Sequence, residues 1–229
     1  QVRLIGFMNA GGSVALFRNW HEHLPATIEV CPVQIPGQGS RFREQPYTRL
    51  PPLVQTLAEV ITPYLDKPFV FWGYSMGALI TFELARELRR RGQPVPEHLF
   101  ITARRAPHLP APDSPLHTLH EAAFIQEMQR RYNGIPAAVL QEKEMLALFL
   151  PVLRSNFEMI ETYEYTPEAP LPCPISAFGG LQDPTVNADE IAAWQQHTRS
   201  AFQYAIFPGD HFFMQNPLAT VLPSVAEDL

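Results

Sequence analysis

The chain has 229 residues, 46% of them hydrophobic and 17% charged, with a formal net charge of −6. A chain of this length buries about three quarters of its surface on folding, so it needs no disulfide staple, and the composition excludes disordered, collagen-like and disulfide-scaffold classes. Arginine supplies 15 of the 17 basic residues and the balance is acidic, which sets nucleic-acid binding aside.

In chain order, the apolar run Val2–Met8 predicts a strand, followed by the turn Asn9-Ala10-Gly11-Gly12 and a helical stretch over Val14–Leu24. Ile28–Gln34 predicts the next strand, ending at Pro36-Gly37, and Leu53–Leu65 a helix. Phe69–Tyr74 is a fully apolar strand, Met76–Arg91 a helix stopped by Gly92, and His98–Ala103 another strand. Continuous apolar runs, rather than alternating ones, mean burial on both faces, as in a parallel sheet covered by helices. From about Arg104 to Pro172 no strand is predicted. Proline-rich turns over 107–115 lead to helical patterns near Glu121–Tyr132 and Gln141–Tyr163. In the second of these Met145, Phe149, Leu153, Phe157 and Ile160 share one face, and Pro151 is expected to kink it. The strand–helix rhythm resumes with Ile175–Gly179, a helix near Ala188–His197, the strand Phe202–Phe207, the loop Gly209-Asp210-His211 and a C-terminal helical segment. The expected organisation is one domain, with a core over 1–103 and 173–229 and an inserted helical block over about 104–172. Such a block is either plain core or a cap over a site at the strands' C-terminal ends.

Two cysteines, Cys31 and Cys173, stand 142 positions apart. That spacing fits neither a zinc site nor a redox pair, so both are read as buried, reduced and cytosolic. The longest apolar stretch, Phe69–Phe82, is too short to span a bilayer and is broken by Gly73, Ser75 and Gly77. Nothing at Gln1 resembles a signal peptide; a chain that opens without Met on a strand is expected to lack a few leading residues.

Gly73-Tyr74-Ser75-Met76-Gly77 matches G-x-S-x-G, directly after a buried strand and directly before a helix. That is the setting of a nucleophile elbow, in which a sharp turn presents a serine Oγ above the sheet and the flanking glycines admit close backbone packing. A serine hydroxyl needs a base, and the base an orienting acid. Of the eight histidines, only His197 and His211 follow the resumed sheet. His197 ends a predicted helix, where it is expected to cap the dipole; His211 lies on the loop after the last strand, level with Ser75. Asp183, just after the strand Ile175–Gly179, is the acid. Asp210 adjoins His211 too closely in sequence to reach its ring well, and Asp189 reads as a charge at a helix N-terminus. For a developing oxyanion the elbow offers the N–H of Met76. The loop Asn9-Ala10-Gly11-Gly12 offers a second donor: Ala10, with Asn9 or Gly11 as near alternatives. A phosphate-binding reading of this loop fails for want of G-x-x-x-x-G-K-[ST]. His21-Glu22-His23 and His117 with His120-Glu121 lack a third metal ligand at zinc-like spacing. Arg89-Arg90-Arg91 suits a helix C-terminus, and Arg104-Arg105 and Arg130-Arg131 read as surface pairs or as a basic patch facing an acidic partner.

Asn9-Ala10-Gly11-Gly12-Ser13, Pro36-Gly37-Gln38-Gly39-Ser40-Arg41, the elbow with Ala78, Ala103-Arg104-Arg105-Ala106-Pro107 and Phe207-Pro208-Gly209-Asp210-His211-Phe212-Phe213 together resemble the type II thioesterases of nonribosomal peptide and polyketide pathways. The resemblance runs from about Arg3 to the C-terminal region. It implies an α/β-hydrolase fold with a helical lid, and a discrete cytoplasmic enzyme, expected to be monomeric. Such an enzyme clears acyl groups from the phosphopantetheine arm of acyl or peptidyl carrier domains, without metal or other cofactor. It also implies the triad Ser75, Asp183 and His211, with Met145, Phe149, Leu153 and Phe157 expected along the acyl pocket. Tyr74 stands where the family commonly has His, and Gln38 where it commonly has Arg. A chain-releasing thioesterase or cyclase, and a catalytically silent binding module, are the alternatives.

Overall fold

The computed structural model describes residues 1–215 and 221–228. The predicted apolar runs become six strands: β1 (Val2–Phe7), β2 (Ile28–Pro32), β3 (Phe69–Tyr74), β4 (Leu99–Thr102), β5 (Ile175–Gly180) and β6 (Phe202–Phe207). They form one sheet in the order β2-β1-β3-β4-β5-β6, with every neighbouring pair parallel. All residues of the central strands β3, β4 and β5 are buried, while the edge strand β6 is not. The chain lays β2 on one side of β1 and then crosses to β3 on the other. The loops leaving β1 and β3 therefore diverge, and a crevice opens at their C-terminal ends.

Side-chain alternation sorts the sheet's two faces. Phe69 and Phe71 join a core with Ile5, Ile101 and Ile175, covered by α1 (Leu50–Ile61), α2 (Met76–Arg90) and α6 (Ala188–Ala192). Val70, Trp72 and Tyr74 face the other way, packing against Phe17, Trp20 and α7 (Val221–Glu227). Where a helix is predicted over Val14–Leu24, the chain forms two short 3-10 turns, Val14–Phe17 and Trp20–Glu22. The apolar spacing of Phe17, Trp20 and Leu24 suits either conformation, and tertiary packing decides it. Phe17 lies on Gly6, where a Cβ would meet its ring at 2.3 Å, and Trp20 stacks edgewise on Trp72 at 4.9 Å. The helix predicted over 188–197 similarly tightens to a 3-10 turn over Ala193–His197. Cys173 is buried, but Cys31 on edge strand β2 is only half-buried, because an edge strand is covered on one side; both thiols are free.

Between β4 and β5 lies the inserted block: α3 (Glu121–Tyr132), the short α4 (Ala137–Gln141) and α5 (Lys143–Glu161), which is helical on both sides of Pro151. The block has its own apolar centre of Leu116, Phe124, Met128, Leu150, Leu153 and Phe157. Its returning segment is clamped to α2. Arg86, buried, pairs with Glu83 at 2.5 Å and Glu168 at 2.9 Å, and Arg89 and Arg90 reach Glu168 at 2.8 and 2.6 Å. Two of the three arginines that end α2 thus hold the inserted block as well as suiting a helix end.

Candidate active site

Ser75 sits between β3 and α2 with φ +53° and ψ −105°, a left-handed conformation that L-residues adopt only under constraint. The constraint is visible. Ser75 N–H donates to Thr102 O at 2.8 Å, and Ala78 N–H donates to Ser75 O at 3.1 Å. A Cβ on Gly73 would meet Gly77 O at 2.4 Å, and one on Gly77 would meet Phe7 O at 2.1 Å. Only glycine at both positions lets α2 start this close to β1 and β3.

Ser75 Oγ lies 3.0 Å from His211 Nε2, and His211 Nδ1 lies 2.7 Å from Asp183 Oδ2. The partner loops are sewn together to achieve this. Gln182 N–H donates to Gly209 O at 2.8 Å, and Gly209 N–H donates to Gln182 Oε1 at 2.6 Å. Tyr74 O–H donates to His211 O at 2.6 Å, so the elbow residue that departs from the family pattern anchors the histidine loop. Burial pushes the Asp183 carboxyl up, but hydrogen bonds from His211 and Thr185 outweigh it and hold the group below the ordinary aspartate value. Thr185 donates its hydroxyl to Asp183 Oδ1 at 2.7 Å and its N–H at 2.8 Å. Sequence reasoning missed Thr185, although the turn Asp183-Pro184-Thr185 is the kind in which an aspartate bonds the residue two positions on. Asp210 caps its own turn by accepting Phe212 N–H at 2.8 Å.

Met76 opens α2, so its N–H has no carbonyl one turn earlier. In the β1 loop Gly12 N–H is taken by Asn9 O and Gly11 N–H by Asn156 Oδ1 at 3.0 Å. Gly11 is thereby removed as an oxyanion donor, while Ala10 borders the same cavity as Ser75. Asn156, fully buried on α5, also accepts Gln38 Nε2 at 2.9 Å. Gln38, the second departure from the family pattern, thus completes a tie between the β1 loop, the β2 loop and the inserted block.

A narrow cavity of about 30 Å³ beside Ser75, His211 and Ala10 adjoins a larger one of about 150 Å³ that reaches Arg104, Arg105 and Tyr163. Of the apolar stripe, Phe157 and Ile160 border both. Leu153 is buried in the block's centre, and Phe149 and Leu153 press on Gly11. Met145, half exposed, borders a separate hollow with Phe42 and Phe149. The stripe is therefore divided between cavity wall, loop support and outer surface. His197 is no exposed cap: it is buried against Phe82, lies 2.8 Å from His108 Nδ1, and burial lowers it to about 4, leaving it uncharged at neutral pH. His117 binds Glu161 and His120 caps α3, and no cluster of three metal-ligating side chains occurs among the described residues.

A family model described as a thioesterase domain matches residues 2–229. The chain belongs to the thioesterase family. Among relatives of this member, Gramicidin S biosynthesis protein GrsT of Aneurinibacillus migulanus is 42% identical over 93% of the chain and 83% of its own length. Linear gramicidin dehydrogenase LgrE of Brevibacillus parabrevis is 41% identical over all of the chain and 88% of its own. Among solved structures, the RedJ thioesterase of the prodiginine biosynthetic pathway in Streptomyces coelicolor matches with a TM-score of 0.92 at 38% identity, over all of the chain and 90% of RedJ. YbtT, a type II thioesterase from the yersiniabactin pathway, matches with a TM-score of 0.84 at 29% identity, over 99% of the chain and 91% of YbtT. The sheet and its flanking helices are those of the α/β-hydrolase fold, and the nearest relatives of the chain include thioesterases of the type II kind. No helix among the described residues is long and apolar enough to cross a membrane.

Proposed function

We propose that the protein is a serine thioesterase that hydrolyses acyl groups from the phosphopantetheine arm of carrier domains in nonribosomal peptide or polyketide synthesis, an editing role. The observation that carries this reading is the continuous line Ser75–His211–Asp183 opening on a small cavity. Ser75 Oγ attacks the thioester carbonyl while His211 Nε2 takes its proton; Asp183 holds the ring with Nδ1 protonated and stabilises the imidazolium. The oxyanion is received by the N–H groups of Met76 and Ala10. His211 then protonates the departing thiolate, and water activated by the same nitrogen cleaves the acyl-enzyme. In this reading the inserted block is a lid, Phe157 is a wall of the acyl site, and the enzyme works as a cytoplasmic monomer without metal or added cofactor. One relative is named a dehydrogenase, but this chain contains no G-x-G-x-x-G stretch, the dinucleotide fingerprint, and the site it does carry is that of acyl transfer.

The test is hydrolysis of an acyl-loaded carrier domain by wild type and Ser75→Ala. The variant should fold normally and lose turnover by about 10³-fold or more; activity within a few-fold of wild type would overturn the reading.

A further inference from the structure

Around the cavities, the charged side chains are paired with one exception. Arg105 pairs with Glu190 at 3.0 Å and donates to Pro110 O and Thr185 O. Arg131 pairs with Glu127 at 2.9 Å. Glu161 accepts the N–H groups of Leu116 and His117 and binds the His117 ring. Asp113 is exposed at the rim. Arg104 stands apart: among the described residues its side chain has neither ion pair nor hydrogen bond, and its Nε is buried without a partner. It follows β4 at the sheet's C-terminal edge and borders both cavities, each of which also holds Ser75 and His211. Burial lowers its affinity for its proton, yet nothing brings a guanidinium near neutrality at physiological pH. A desolvated cation with no counter-charge is costly to keep, and a ligand carboxylate would meet it in the geometry that guanidinium prefers.

Building on the thioesterase reading above, we propose that Arg104 binds a carboxylate carried by the acyl group, so that the enzyme favours small dicarboxylic half-thioesters over neutral acyl thioesters of equal length. The cavities are small, which suits a short acyl chain whose far end is charged. An anion on the substrate could also be the phosphate of the pantetheine arm. That phosphate lies at the far end of a long arm, whereas Arg104 shares a wall with the nucleophile, so the charge it meets is a few bonds from the reacting carbonyl.

The test uses N-acetylcysteamine thioesters, which carry no phosphate. In wild type, kcat/KM for malonyl should exceed that for propionyl, and succinyl that for butyryl, by about tenfold or more, the range of one charge-assisted contact. Arg104→Gln should reduce those ratios by about the same factor without lowering the melting temperature, which a structural arginine would not allow. In wild type, free malonate should inhibit competitively and malonamide should not, a result that needs no variant. Ratios near one, or ratios that Arg104→Gln leaves in place while the variant stays folded, would overturn the proposal. So would a variant that alters only the discrimination between acetyl-phosphopantetheine and acetyl-N-acetylcysteamine, which would place the anion on the arm. Wild type that hydrolyses none of these thioesters, or hydrolysis that survives Ser75→Ala, would instead sink the thioesterase reading itself, and this proposal with it.

Discussion

Asp183 keeps its charge at the cost of burial because two partners converge on it, His211 at 2.7 Å and the Thr185 hydroxyl at 2.7 Å. Replacing it by Asn removes the acceptor that holds Nδ1 protonated, so Asp183→Asn should lower kcat by about 10⁴-fold. Asp210→Asn and Asp189→Asn should stay within a few-fold of wild type, and thioester hydrolysis by the three variants would rank the acids directly. The glycines at the elbow are tested by stability. A Cβ at Gly77 would sit 2.1 Å from Phe7 O, a clash with rigid backbone. Gly77→Ala should therefore cost about 4 kcal/mol or prevent folding. At Gly92, where φ is +65° but nothing lies within 4 Å, Ala should cost only about 1 kcal/mol of backbone strain. Thermal unfolding of the two variants would show the difference. At this scale, Ser75, Asp183 and His211 were legible because each follows a strand within a few residues, and strand ends can be read from local pattern. Thr185, Asn156 and Arg104 were not, because what marks them is made by the fold: Asn156 meets Gly11 across 145 positions, and Arg104 is notable only for the partner it lacks.

Among the elements, β3, α3 and β6 have the limits predicted from sequence, since each is an uninterrupted pattern between strong breakers. The stretch 14–24 and the end of the helix at 188–197 were misjudged for one reason. Apolar residues three and four apart suit an α-helix and a 3-10 turn alike, and contact with the sheet makes the choice. The more consequential inter-element contact is Asn156, by which α5 holds the β1 loop in the orientation that leaves Ala10 beside Ser75. Asn156→Leu would strand Gly11 N–H and the Gln38 amide without an acceptor, costing about 1–3 kcal/mol of stability. Because the loss is felt by a donor aimed at the transition state, kcat should fall about tenfold or more while KM changes little. Steady-state kinetics on a short acyl thioester would separate that outcome from general loosening, in which KM would rise as well.

Across the whole molecule, pH acts through the buried imidazole of His197, which burial lowers to about 4 and which His108 and Arg86 hold there. An unfolded chain binds a proton at that histidine near its ordinary value of about 6.5, the folded chain only near 4. Between those values the unfolded state carries the extra proton, so stability is full above about 6.5 and declines as pH falls towards 4, by about 3 kcal/mol in all. Urea unfolding at pH 7 and pH 4.5 should show this decline in wild type, and a smaller one in His197→Phe, which keeps the contact with Phe82 and cannot titrate. The inserted block has a consequence of another kind. It leaves the sheet after β4 and returns at β5, and these two strands are neighbours in parallel register, Leu99 opposite Ile175. A short helix would suffice to join such strands, so the sheet's topology makes no demand on what the block contains. What binds it to the rest is a small set of contacts, chiefly Asn156 on Gly11 and Gln38 and Glu168 on the arginines of α2. The block is therefore an exchangeable cassette. A relative's helices grafted between Thr102 and Ile175 with those contacts kept would bring their own acyl preference to an unchanged nucleophile, which makes this crossover the natural site for engineering selectivity.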